Sequence, residues 1–349
     1  MLIGTDRALF QKGSVVRERI TALGVGYFDA LDSVVLSTRR HGVRLPSELA
    51  PNVHAYPTNS QTRFLYGWDA FRIASKLTRP DMISAQDPFE TGLLGLVLSW
   101  YLRVPFVVEV HTDFLASAYA RHSLLNRLRV YIAHFVIRRA RAGYAVSSHV
   151  QRELAERFGN RTPFSVLPIF VDTSRFAALA RTPIRGELLW IGRFTHEKNP
   201  GLALRAVAQA RATGQDVRLT VLGEGPLEAS LRSEARTLGI EPYVRFEGFQ
   251  DPAGYFPTTE LLLVTSDYEG YGMALIEALA AGVPVLATDV GVAREAGALV
   301  TSSDRFAEAL TQWLAGDRGR GVLQLQGYPS EGAYLARTAE FYTSHLTSP

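Results

Sequence analysis

Cysteine is absent from all 349 residues, and with it go disulfides, thiolate zinc sites and cysteine nucleophiles. Long hydrophobic runs are absent too. The longest, LLGLVLSWYL at 93–102, has ten residues, where a membrane-spanning helix needs roughly 20, so it reads as a buried helix. The opening residues, MLIGTDRALFQKG, hold no apolar core of signal-peptide length, which makes a cytoplasmic protein the expectation. No nucleic-acid-binding module accompanies the basic residues, so nucleic acid is not an expected partner.

What is present is a soluble globular composition, 47% hydrophobic and 20% charged, in a chain long enough for two domains. Its charge is unevenly spread. Residues 1–170 carry 21 Lys and Arg against 13 Asp and Glu, and residues 171–349 carry 16 against 21. A basic first half suits an anionic partner such as a phospholipid surface or a lipid phosphate; an arginine-rich solvated face is the plainer explanation.

Short apolar runs alternate with longer amphipathic ones. SVVLS (33–37), MISA (82–85), PFVVEV (105–110), AGYAVS (142–147) and PFSVLPI (163–169) read as strands, with helical segments near 13–22, 62–78, 88–102, 123–141 and 148–158. The segment VLPIFVDTSRF (166–176) carries turn signals and no helical period, and marks the join. Beyond it, ELLWIGR, VRLTVLG, VRFEG, LLLVTS and VPVLAT alternate with helices that end at or near Gly. This predicts an α/β protein of two Rossmann-like domains in series, with a ligand cleft where the carboxyl ends of their strands face each other.

Three turns in the second half could carry chemistry. In WIGRFTHEKNP, Arg193 and Lys198 follow a strand and precede a helix; a planar fork and a mobile point charge make a plausible diphosphate clamp, and solvated cations are the simpler alternative. In LGEGPL the glycines do not complete a dinucleotide fingerprint, and a structural turn explains them as well. In DYEGYGMALIEALAAG, the N–H groups of Gly272, Met273 and Ala274 at the start of a helix would favour an anion. Glu269 in the turn and Glu277 one helical turn inside are acceptors suited to sugar hydroxyls. Alternatively, both acids simply favour the positive end of the helix.

Arg193, Lys198, LGEGPL and the Glu269-x7-Glu277 pair within EGYGMALIEALAAGVPVLATDVG resemble the retaining glycosyltransferases of family 4, of GT-B architecture. DPFETGLLGLVLSWYLRVPFVVEVHTDF (87–114), GYAVSS (143–148) and the 166–176 linker extend the resemblance over most of the chain. It implies an acceptor-side domain at 1–170, a nucleotide-sugar domain at 171–327 and a C-terminal helix at 328–349 returning toward the first domain. It also implies that Arg193 and Lys198 hold the donor diphosphate, Glu269 the transferred sugar and Glu277 the ribose, with Gly270, Tyr271, Gly272 and Met273 in support. His111 in EVHTDF matches the family's histidine near the donor sugar, although a histidine after a buried strand is more often structural. Gly13 matches the turn after the first strand. Lys12 stands where the family commonly has a glycine, and Val292 replaces the usual second glycine after ATDVG.

The implied activity is transfer of a hexose from GDP-mannose or a UDP-sugar to a hydroxyl of a lipid-linked, glycan or small-molecule acceptor, with retention. No Asp-x-Asp occurs in the chain, which fits a site without metal, and no cofactor is expected. A sugar-nucleotide epimerase of the same architecture, or a non-catalytic sugar-nucleotide binder, is the alternative. Residues 119–141 mix apolar and aromatic positions with six Arg. Packing against the first sheet is the favoured reading of this stretch, and peripheral contact with an anionic membrane is the other.

Overall fold

The computed structural model describes residues 1–43, 45–316, 319–328 and 330–346. Its first sheet has eight strands: β1 (Leu2–Gly4), β2 (Leu31–Val35), β3 (Ser47–Ala50), β4 (Val53–Pro57), β5 (Ile83–Ala85), β6 (Phe106–Val110), β7 (Ala142–Ala145) and β8 (Phe164–Val166). They run in the order β3-β4-β2-β1-β5-β6-β7-β8, all parallel except β3, which is antiparallel at one edge. Every residue of β5, β6 and β7 is buried, as expected for strands covered by helices on both faces.

The helices of this half are α1 (Val15–Tyr27), α2 (Tyr66–Ala74), α3 (Glu90–Leu102), α4 (Ser117–His122), α5 (Leu124–Ile137) and α6 (Ser148–Phe158). Gly95 lets α3 lie close on the sheet: a Cβ there would stand 2.7 Å from the Phe106 ring. The stretch 119–141 is not one helix. Ser123 is extended (φ −163°) and its Oγ accepts the Asn126 N–H at 3.0 Å, so α5 starts afresh behind a serine cap.

The second sheet is wholly parallel: β9 (Glu187–Ile191), β10 (Arg218–Leu222), β11 (Val244–Gly248), β12 (Leu261–Val264), β13 (Val285–Thr288) and β14 (Leu299–Thr301), in the order β11-β10-β9-β12-β13-β14. Around it stand α7 (Ser174–Ala177), α8 (Pro200–Ala212), α9 (Glu228–Thr237), α10 (Met273–Ala280), α11 (Ala293–Ala296) and α12 (Phe306–Ala315). Trp190, Leu219, Val221 and Leu263 from the strands pack with Ala206 and Val207 of α8 and with Phe306 and Leu310 of α12. Each large side chain buried in this way contributes about 1.5–3 kcal/mol.

The chain forms two compact units, one of residues 1–115, 123–169 and the segment from Tyr328 on, the other of residues 116–122 and 170–327. Two features depart from a simple division near residue 170. Residues 116–122, with α4, belong to the second unit, and the final helix, α13 (Glu331–Ser344), belongs to the first. There α13 packs on α1, Arg19 pairs with Glu331 at 3.0 Å, and the Tyr342 hydroxyl donates to Glu109 at 2.7 Å. No helix among the described residues is long and apolar enough to cross a membrane.

Candidate active site

Two turns at the carboxyl end of the second sheet lie back to back. The Gly192 N–H donates to the Leu222 carbonyl at 3.0 Å, Phe194 N–H to Glu224 at 2.9 Å, and Leu227 N–H to Phe194 at 3.1 Å. Gly223 has φ +134°, and a Cβ on it would stand 1.9 Å from the Gly192 carbonyl oxygen. The glycines of LGEGPL therefore serve backbone contact between turns, the structural role considered for them above.

Lys198 ends a short 3₁₀ turn (His196–Lys198), and the next residue, Asn199, holds a left-handed conformation (φ 44°) before Pro200 opens α8. The Asn199 amide donates to Asp267 at 2.9 Å, and the Thr265 hydroxyl, which itself accepts the Trp190 indole N–H at 2.9 Å, donates to the Lys198 carbonyl at 3.1 Å. These bonds tie the 193–199 loop to the turn after β12. The Lys198 ammonium forms an ion pair with the Glu269 carboxylate, which also accepts the Ser266 hydroxyl at 2.8 Å.

Gly270 and Tyr271 are buried in that turn, and Gly272 (φ +104°) leads into α10 without any side chain to cap its N-terminus. The turn is held from behind by Val292, whose N–H donates to the Tyr271 carbonyl at 3.0 Å. Gly291 (φ +53°) is required there, because a Cβ would come within 2.3 Å of the same carbonyl oxygen. Val292 itself has φ −100°, a value open to any L-residue, so the second glycine can be lost from this turn without strain.

Met273, Ala274 and Glu277 share one face of α10 and line a cavity of about 710 Å³ with Arg193, Gly223, Phe249 and Arg175. That volume lies in the range of small-molecule sites, about 300–1,000 Å³. Burial pushes the Glu277 carboxyl above the usual carboxylate range; Arg175 opposes the shift and Asp251 adds to it. Arg193, largely exposed, pairs with Glu197 at 3.2 Å. The two cations thus have different neighbours: Lys198 sits with Glu269, and Arg193 sits at the cavity with Glu277. Met273 and Ala274 open the helix whose preceding turn carries Glu269.

Gly13 and His111 belong to the first unit. Gly13 (φ +77°) precedes Ser14, whose hydroxyl accepts the Arg17 N–H at 3.2 Å at the start of α1. His111 directly follows β6, with its Nε2 3.0 Å from Glu109 Oε2. Glu109 is buried, and Ser84, Tyr144 and Tyr342 donate to it at 2.7, 2.6 and 2.7 Å. Burial alone would raise its pKa, but the hydrogen bond and charge of His111, with the Tyr144 and Ser84 hydroxyls, outweigh that and hold it below the usual range. Burial and the Glu109 charge push both tyrosines well above theirs. An ionised Glu109 accepts only, so Nε2 carries the hydrogen and the ring orientation is set.

Glu109, Tyr144 and Tyr342 escaped the sequence reading, as did Arg175, Phe249 and Asp251 around the cavity. A carboxylate inside the otherwise apolar strand FVVEV was the available signal for Glu109; Tyr144, on β7, and the others, on loops and helices, meet their partners through packing that no local pattern encodes.

Two family models match the chain, "Glycosyltransferase Family 4" over residues 27–175 and "Glycosyl transferases group 1" over residues 185–316. The chain is 28% identical over 229 residues to a glycogen synthase of Mycobacterium tuberculosis, covering 62% of this chain and 54% of the relative. It is 26% identical over 253 residues to an alpha-monoglucosyldiacylglycerol synthase of Streptococcus pneumoniae, covering 64% and 56%. The chain therefore spans little more than half the length of these curated relatives. A sucrose-phosphate synthase from Thermosynechococcus elongatus shares the fold, with a TM-score of 0.74 at 17% identity over 98% of both chains. With one model on each half and the double Rossmann-like fold, the chain belongs to the family 4, group 1 glycosyltransferases of GT-B architecture.

Proposed function

We propose that this protein transfers a hexose from a nucleoside-diphosphate sugar, GDP-mannose or a UDP-sugar, to an acceptor hydroxyl with retention and without metal. The observation that carries the reading is the grouping around α10: the Lys198–Glu269 pair at the turn before it, and a cavity of about 710 Å³ under its first turn with Arg193 and Glu277 on the wall. The diphosphate meets Arg193, Lys198 and the N–H groups that open α10, where negative charge grows as the sugar leaves. Glu277 accepts ribose hydroxyls, Glu269 accepts hydroxyls of the sugar, and Phe249, 83% exposed at the cavity, offers a face for the base.

In the transfer the acceptor oxygen bonds to the anomeric carbon on the face from which the diphosphate departs. The carbon–oxygen bond to phosphate breaks, and the leaving phosphate oxygen takes the acceptor proton, so no protein nucleophile is needed. The acceptor is a lipid-linked, glycan or small-molecule hydroxyl; the basic, aromatic first unit favours the lipid-borne class. We place the reaction in the cytoplasm, at the inner face of a membrane.

The test is nucleotide release by the full chain with UDP-, GDP- and ADP-sugars and an acceptor panel, in buffer with and without EDTA. One donor should turn over in both buffers and give an α-linked product from an α-donor. A β-linked product, turnover abolished by EDTA, or no turnover of any donor would overturn the corresponding part of the reading.

A further inference from the structure

Among the described residues, 12 of the 21 exposed large hydrophobic side chains lie on three helical segments of the first unit: the 3₁₀ turn and helix at 63–74, α3 and α5. These segments are neighbours. α3 packs on both α2 and α5, Phe71 meets Tyr101 with ring centroids 4.9 Å apart, and Trp100 meets Phe135 at 6.4 Å. α5 packs on α3, and the residues it buries are Ala133, Val136 and Ile137. Leu128 and Tyr131 of α5 are 55% and 75% exposed, as are Trp100 of α3 at 55% and Trp68 of α2 at 64%. Single exposed apolar residues need no explanation, but a contiguous field of this kind marks a binding surface.

At its centre is a cavity of about 520 Å³, lined by Tyr66, Trp68, Phe71, Leu93, Val97 and Ile132. Its wall is almost wholly hydrocarbon and aromatic, which suits a chain rather than a sugar. The charge around it is mainly basic, and Glu90 on its wall is paired with Arg129 at 2.9 Å. From Phe114 to Arg152 the sequence has no Asp or Glu, while Arg127, Arg129, Arg138 and Arg139 lie on or just beyond α5. The Arg139 guanidinium stacks 3.8 Å from the Phe135 ring centroid, and Arg129 spans from Phe89 to Glu90. Aromatic rings interleaved with arginines whose stems lie on apolar surface are the chemistry of a lipid–water interface. A second copy of this chain would set two mainly positive faces against each other, whereas anionic headgroups complement the arginines of α5 and its end as well as the apolar field.

We propose that the α2–α3–α5 face of the first unit docks on an anionic lipid bilayer and that its central cavity holds one hydrocarbon chain of a bilayer lipid. This deepens the reading above, on which it rests for its purpose, since it brings the enzyme to lipid-borne acceptors. Its observations are independent of the donor site.

The experiment is co-flotation of the full chain with vesicles of phosphatidylcholine alone or mixed with phosphatidylglycerol, with tryptophan quenching by lipids brominated on the chain. Binding should require phosphatidylglycerol and weaken with salt. Arg138→Ser with Arg139→Ser, or Leu128→Ser with Tyr131→Ser, should each weaken binding about tenfold. Quenching should vanish in Trp68→Phe with Trp100→Phe, and in a Trp100→Phe background Val97→Phe, which fills the cavity, should reduce the quenching of Trp68. No flotation, flotation without quenching, equal binding to both vesicles, or a stable dimer that hides Trp68 and Trp100 would overturn the proposal. Nucleotide-sugar protection of the same samples reports separately on the donor reading.

Discussion

The two units hold their polar groups in opposite ways. In the second, the candidate donor site is laid out mainly by backbone: turns at the ends of β9, β10 and β12, pinned to one another by main-chain hydrogen bonds and close-packed glycines, with Asn199 and Thr265 adding side-chain ties. In the first, His111 is held by side chains alone, through a buried carboxylate that gathers hydroxyls from β5, β7 and the last helix of the chain. Backbone sites tolerate changes of side chain and fail when a glycine is altered. A buried polar cluster fails when any one member is removed, because the rest are left desolvated without partners.

The contrast is broken most forcefully at Glu109. Glu109→Ala strands two buried tyrosine hydroxyls and a serine, and should cost about 3–5 kcal/mol in the unfolding of the first unit, read by denaturant titration. Tyr342→Phe should cost about 1.5–3 kcal/mol, the worth of a hydrogen bond to a charged group. Because the Glu109 pKa is depressed in the folded state, its contribution is present above the ordinary carboxylate range and is lost as pH falls through the folded value. Glu109→Gln should therefore flatten the acid limb of the stability profile.

In the second unit, Lys198→Ala should slow transfer about 100-fold or more, the scale of losing one group that meets developing charge, with cooperative unfolding preserved. Gly223→Ala should destabilise that unit by about 1–3 kcal/mol, since its φ is closed to alanine and its Cβ would strike a carbonyl. An equally stable alanine variant would remove the backbone argument for this site. Smallest is Glu277→Gln, expected to weaken the donor about tenfold by loss of charge-assisted hydroxyl contacts. Wild-type affinity should fall on acidification, beginning above the usual carboxylate range, because burial raises the Glu277 pKa and the ionised form is the better acceptor. In the glutamine variant that dependence should largely disappear in an affinity measurement across pH.

The same contrast explains what was legible in the sequence. Turn glycines, a cation after a strand and two acids flanking a helix start are local patterns, so Arg193, Lys198, Glu269 and Glu277 could be singled out within about 90 residues of chain. The parallel alternation was legible for most strands, because buried parallel strands are continuous apolar runs. β1, three residues ending in a glycine, the edge strand β3, with no buried residue, and β4, where buried and half-buried residues alternate, gave no such run. The partners of His111 were hidden for a different reason: Ser84, Tyr144 and Tyr342 meet Glu109 only through sheet order and the return of α13. The exposed field on α2, α3 and α5 was obscured because apolar residues on a helix between two strands suit burial equally well, and only Ala133, Val136 and Ile137 of α5 are buried.

The most direct test of the donor site is the thermal shift given by the best nucleotide sugar to the wild-type chain, Lys198→Ala and Glu269→Ala side by side. Ligand that binds only the folded chain must raise its stability. Wild type should be protected by several degrees, while both variants unfold cooperatively when unliganded and lose most of the protection. Full protection of either variant, with wild-type turnover of the same donor, would contradict the assignment of the Lys198–Glu269 pair to the donor.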